Sequence, residues 1–158
     1  MKDKFNSFYE KYNFDLFNFL FYMVRNREQA ELLVREVYLK VLNSYDQYEP
    51  KGNEKIYLFS IAQQVAIDRI KKQNRQSSFR SIGEEDSPLP KEIAVQDEKM
   101  QKLFHCIGQC TNEQRSVLIL RFIQKFSIQE TSDILGCSDS KVKTEQRKGM
   151  MFLKEHIF

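Results

Sequence analysis

Residues 127–148, SIQETSDILGCSDSKVKTEQRK, hold the pattern that decides the fold. Ser127 followed three residues later by Glu130 is a capping box, in which each side chain accepts from the other residue's backbone N–H and a helix begins. That helix ends at Gly136, a residue suited to the left-handed conformation that closes helices. Ser138 then caps a second helix after a three-residue turn. Helix, tight glycine-containing turn, helix is a helix-turn-helix arrangement. Ile128, Ile134, Leu135 and Val142 are spaced to lock the pair together, and Thr131 is small enough to let the helices approach.

The second of these helices carries Lys141, Lys143, Thr144, Gln146, Arg147 and Lys148 on its early turns. Long cations reach phosphates, while Gln and Arg offer paired hydrogen bonds to base edges. The first turns of such a helix are the ones that enter the groove. A solvated surface helix shows the same charges, and helix-turn-helix units also occur without DNA.

Outward from this core, apolar residues recur at helical spacing. Phe5, Phe8, Tyr9, Tyr12, Leu16, Leu20 and Met23 predict a first helix ending near Val24, with a break at Asn26. Ala30, Leu33, Val34, Val37 and Val41 form the stripe of a second, over 27–44. Pro50 and Gly52 mark 45–53 as a loop. A third helix, over 54–72, is apolar on more than one face, as suits a helix buried between neighbours. From Asn74 the pattern stops in a stretch of Ser, Pro, Gly and acidic residues that reads as a flexible linker. Four more helices are expected at 95–109, 112–123, 127–135 and 139–156. The expectation is an all-α fold: a domain over 1–75, a linker over 76–97, and a second domain over 98–158 with the helix-turn-helix.

Charge follows the same division. Residues 1–75 hold 13 Lys or Arg against 10 Asp or Glu, 76–97 hold 2 against 5, and 98–158 hold 10 against 7. Two mildly basic blocks flank an acidic connector, which is compatible with nucleic acid. Aromatic residues near the end of the first block sharpen the reading. Tyr45, Tyr48, Tyr57 and Phe59 lie around a loop and a helix start rich in Gln, Lys and Arg, and rings interleaved with cations suit unpaired bases. Tyr57 and Phe59 equally suit a core. On the second helix, Leu32 and Leu39 fall off the core stripe, seven residues apart beside Arg35 and Glu36. This outward pair fits a protein interface, or packing against the first helix.

No catalytic residue set emerges. There is no glycine-rich phosphate loop and no nucleophile elbow. His105 and Cys106 with Cys110 lack a second ligand pair at zinc spacing. No metal, cofactor or small-molecule substrate is expected. Three cysteines, a charge-interrupted N-terminus and no transmembrane-length apolar run predict a cytoplasmic chain with reduced thiols.

Three stretches in order, LFNFLFYMVRNREQAELLVREVYLKVLNSY, EKIYLFSIAQQVAIDRIKKQ and CTNEQRSVLILRFIQKFSIQETSDILGCSDSKVKTEQRKG, make the chain resemble the extracytoplasmic-function (ECF) group of bacterial sigma-70 factors from end to end. The resemblance implies the roles that follow. Leu32, Arg35, Glu36 and Leu39 would dock on the clamp helices of core RNA polymerase. The loop 45–53 and third helix would recognise and melt the minus-ten element of promoter DNA, with Tyr45, Tyr48, Tyr57, Ala62, Gln63, Gln64, Asp68, Lys71 and Lys72 at matched positions. The minus-thirty-five element would be read by Ser140, Lys141, Lys143, Thr144, Arg147 and Lys148, in a domain that also touches the polymerase flap. Family members are usually restrained by an anti-sigma factor, often membrane-anchored. The chain departs from the family pattern at Leu32, where Asp is usual, at Tyr57, where Trp is common, and at Gln63, where Arg is common. Glu145 is a further departure, an anion expected to weaken attraction to phosphates. Two other classes fit the residues less fully: a stand-alone helix-turn-helix regulator, which would protect DNA without polymerase, and a polymerase-binding module that never melts DNA.

Overall fold

A computed structural model describes residues 2–44, 54–77 and 98–157. The loop with Tyr45 and Tyr48, and the expected linker from residue 78 on, lie outside the described residues. All regular structure among the described residues is helical: α1 (Lys2–Val24), α2 (Arg27–Ser44), α3 (Glu54–Ser77), α4 (Glu98–Gln109), α5 (Asn112–Leu118), α6 (Ile128–Leu135) and α7 (Asp139–Ile157). The expected helix 112–123 is present, but its last part, Ile119–Ile123, is a π-helical turn in which Gln124 N–H reaches the Ile119 carbonyl at 2.9 Å. The helix α3 runs past the expected end at Lys72 to Ser77. No Gly or Pro falls between Lys72 and Gly83, and Arg75 places a cation in the last turn, where the helix dipole favours one.

Helices α1, α2 and α3 pack mutually. Leu16, Phe19, Leu20, Leu33, Val37, Leu58 and Ala62 are fully buried, which contributes about 1.5–3 kcal/mol for each large side chain. The ring of Phe19 meets Phe59 edge-on at 5.3 Å, so Phe59 is core and not a base-stacking ring. At the end of α1, Arg25 takes the left-handed conformation (φ 66°) and its N–H reaches the Phe21 carbonyl, after which Asn26 caps α2 through its Oδ1. In the second half, α7 packs on α4, α5 and α6. Gly149 allows the close approach to α5: a Cβ there would lie 2.9 Å from Leu118 Cδ1.

The two halves share one hydrophobic core. The helix α6 packs along α3, and α4 touches α1. Phe104 of α4 stacks on Phe21 and meets Tyr22 edge-on, both at 5.3 Å, while Phe126 meets Phe59 edge-on at 5.2 Å.

The capping box of α6 is formed as expected, with Ser127 Oγ accepting from Glu130 N–H at 3.0 Å and Glu130 Oε1 accepting from Ser127 N–H at 2.8 Å. Ser127→Ala is therefore expected to cost about 1 kcal/mol and to lower the thermal midpoint by about 3 °C. A melting curve that overlays the parent's would show that the cap does not support this helix.

Candidate nucleic-acid interface

The helix-turn-helix is held by its own backbone chemistry. Gly136 closes α6 in the left-handed region (φ 67°), and Ser138 Oγ accepts from Lys141 N–H at 3.1 Å at the start of α7. Ile134 and Val142 are buried between the helices, Thr131 is fully buried, and Ile128 and Leu135 are half-buried. With its inner face fixed by Val142, Glu145, Gly149 and Leu153, α7 presents Ser140, Lys143, Arg147, Met151 and Lys154 along the opposite face, all exposed. Lys143, Gln146, Arg147, Met150, Met151 and Lys154 line a groove of about 610 Å³.

Glu145 does not face outward, so the expected repulsion of phosphates from this position is corrected. It is 4% exposed. Val142 lies one turn before it and Gly149 one turn after, so helical geometry puts all three on the packed side. A carboxylate placed there needs cations. Lys141 supplies one at 3.3 Å and Lys148 another at 3.9 Å, and Lys141 also reaches Glu113 of α5 at 3.6 Å. The hydrogen bond to Glu145, then the charge of Glu113, hold the Lys141 ammonium above the usual lysine range. The six residues expected to read DNA thus divide. Ser140, Lys143 and Arg147 share the outer face with Thr144 at its edge, while Lys141 and Lys148 sit on the flank, drawn to Glu145. Gln146 is also taken up internally, accepting from Arg121 Nε at 2.8 Å. Met150, Met151 and Lys154 belong to the outer face and were not marked by sequence, because they lie beyond the turns where base contacts are sought.

On α2, Leu32 (52% exposed) and Leu39 (61%) both point to solvent, so neither packs against α1. Leu42, 49% exposed, extends the same row with Arg35 between. Leu42 was not marked from the sequence, although its three-residue spacing from Leu39 puts it on the row of Leu32, Arg35 and Leu39. Glu36 is half-buried.

The expected minus-ten residues are not on one face. Tyr57, Gln64 and Lys71 recur every seven residues along one row of α3, with Asp68 and Lys72 beside it. Gln64, Asp68, Lys71 and Lys72 are exposed. The Tyr57 hydroxyl is hydrogen-bonded to Ser44 Oγ, tying α3 to the end of α2. Gln63 is turned about 100° away, on the side of Phe59 and Ile70. It is half-buried, and its Oε1 lacks a hydrogen-bond partner among the described residues. Ala62 is fully buried.

The Sigma-70 region 2 family matches residues 8–76, and the Sigma-70 region 4 family matches residues 100–153. The ECF RNA polymerase sigma factor SigX of Bacillus subtilis is 44% identical over 165 residues, covering 99% of this chain and 85% of that protein. The sigma factor YlaC of the same organism is 25% identical, covering 99% and 93%. Among solved structures, the sigma factor RpoE of Bartonella quintana, in complex with the anti-sigma factor NepR, matches with a TM-score of 0.82 at 22% identity, covering 98% of this chain and 96% of that one. The chain belongs to the sigma-70 family of RNA polymerase sigma factors, in its ECF group. It is a transcription initiation factor, not an enzyme, that binds core RNA polymerase and directs it to promoter DNA. No helix among the described residues is long and apolar enough to cross a membrane.

Neutralising Glu145 while keeping its shape should release the two flanking lysines. Glu145→Gln is expected to steepen the salt dependence of promoter binding by about 0.9 in log–log slope for each lysine that gains a phosphate. An unchanged slope would show that neither lysine is held back by Glu145.

Proposed function

We infer that the three surfaces just described divide the work of initiation. The outer face of α7 reads the minus-thirty-five element, with Lys143, Arg147 and Lys154 on phosphates and base edges. Ser140 and Thr144 make closer contacts at the start of the helix. The exposed side of α3, with Gln64, Lys71 and Lys72, engages the minus-ten element, together with the loop that carries Tyr45 and Tyr48. The row Leu32, Arg35, Leu39 and Leu42 docks on the clamp helices of core polymerase, with Glu36 at its margin. The observation that carries this reading is the outward face of α7. Lys143, Arg147 and Lys154 lie exposed there, while Glu145, in the same turns, is buried and holds Lys141 and Lys148 to the flank.

Further expectations accompany this reading. The C-terminal half also touches the polymerase flap, and the protein acts in the cytoplasm. An anti-sigma factor restrains it, in the way that RpoE is found in complex with the anti-sigma factor NepR and CnrH in complex with the cytosolic domain of CnrY.

Replacing Lys143 and Arg147 together by Ala should weaken promoter binding by the polymerase–sigma complex. It should also flatten the salt dependence by about 1.8 in log–log slope, the loss of two phosphate contacts. A slope equal to the parent's would remove α7 from the DNA. Leu39→Asp places a charge at the centre of the α2 row, on a side chain that contributes little to the core. Core polymerase affinity is expected to fall at least tenfold with helicity and thermal midpoint unchanged. Parental affinity would take this face out of the interface.

A further inference from the structure

The outer face of α7 is not uniformly polar. Among the described residues of the C-terminal half, the large apolar side chains left exposed are Phe122, Met150 and Met151, at 47%, 41% and 57%. Phe122 has a neighbour in the Arg121 guanidinium, 5.7 Å from its ring centre. The two methionines stand in the groove of α7 with Lys143, Gln146, Arg147 and Lys154. Met23, by contrast, is fully buried, as apolar side chains of this size usually are. Adjacent apolar side chains kept in water on an outer face mark a contact surface.

Helical spacing decides what can cover them. Arg147, Met150, Met151 and Lys154 are residues i, i+3, i+4 and i+7, neighbours that form a closed diamond on the helix surface. The two cations occupy its ends and the two thioethers its middle. At 1.5 Å per residue, Arg147 and Lys154 are about 10 Å apart along the axis, and a ligand held by both lies over the sulfurs between them. Glu155, also exposed, follows Met151 by one turn and bounds the cationic face. The major groove of DNA is the complement of such a diamond. Phosphates form its rim, and the apolar group on its floor is the C5-methyl of thymine. Lys143 and Met151 are eight residues apart, about 12 Å along the axis, which is the width of that groove. An unbranched, polarisable thioether adapts its shape to a small apolar partner. Two thioethers make too narrow a patch to bury the apolar stripe of a partner helix, which needs several anchors along its length.

We propose that Met150 and Met151 are specificity-determining residues, which pack on the C5-methyl groups of thymines in or beside the minus-thirty-five element. They add a preference for particular base pairs that the phosphate contacts of the neighbouring cations cannot supply. The proposal rests on the assignment of α7 to promoter DNA.

Replacing thymine by deoxyuridine removes only the methyl group and keeps the pairing. Binding of the polymerase–sigma complex would be measured on a cognate promoter and on the same duplex with deoxyuridine at every thymine, on either strand, in the minus-thirty-five element and the pairs next to it. The parent should lose about fourfold in affinity for each methyl that is read, the worth of one buried apolar carbon. The pair Met150→Ala with Met151→Ala should bind both duplexes equally, at the parent's affinity for the deoxyuridine duplex. Its salt dependence should match the parent's, because no phosphate contact is lost. The pair Met150→Leu with Met151→Leu keeps apolar bulk and should restore discrimination. A parent that binds the two duplexes equally, or an Ala pair that still discriminates, would overturn the proposal. So would an Ala pair that weakens both duplexes by the same factor, the result expected if the methionines touch deoxyribose or a protein segment. The Lys143→Ala, Arg147→Ala chain separates the two levels of failure. Equal binding by the parent together with a flattened slope in that chain sinks the methyl contact alone, whereas equal binding with an unchanged slope takes α7 off the DNA altogether.

Discussion

The first helix is apolar around more of its circumference than its own half can cover. One side faces α2 and α3, where Phe19 meets Phe59. Another side carries Phe17 and Phe21, stacked at 6.0 Å, and Phe21 is fully buried with Phe104 stacked on it. A helix apolar on several faces has to be covered on several faces. That requirement brings the C-terminal half against α1, lays α6 along α3, and so sets the position of α7. It also makes the junction an aromatic seam, with Phe104 on Phe21 and Tyr22 and Phe126 against Phe59.

Electrostatics act locally in this protein. The formal net charge is only +3, too small to provide much attraction to DNA by itself. What matters is how α7 apportions its cations. Burying Glu145 commits Lys141 and Lys148 to one flank and ties α7 to Glu113 of α5. Arg121 fixes Gln146 and the Phe126 carbonyl, joining α7 to the π-helical turn. The remaining cations lie on the side directed away from the core. The orientation of α7 and the distribution of its charge therefore have the same cause.

Features that act over a few residues were legible in the sequence. Ser127, Glu130 and Gly136 specify the ends of α6 through bonds made within a turn, and the period of Leu32 and Leu39 placed them outward because the core stripe of α2 is unambiguous. The end of α3 was read too early because polar residues after Lys72 resemble a linker, although nothing there breaks a helix. Glu145 was misread because its chemical type outweighed its spacing from Val142 and Gly149. Phe59 and Tyr57 were grouped as rings near a loop, yet helical rotation sends one to the core and the other to Ser44. Contacts between the halves had no local signal. Arg115 and the Met23 carbonyl are 92 residues apart, and neither Arg25 nor Gly108 stands out until the fold brings them together.

The central claim is that this chain gives core polymerase the ability to recognise and open a promoter. Permanganate oxidation of unpaired thymines tests it most directly. With core polymerase and this protein together, thymines in the minus-ten stretch of a cognate promoter should become reactive, and with either component alone they should not. Thymines that stay protected in the presence of both, or that react with the protein alone, would contradict the account.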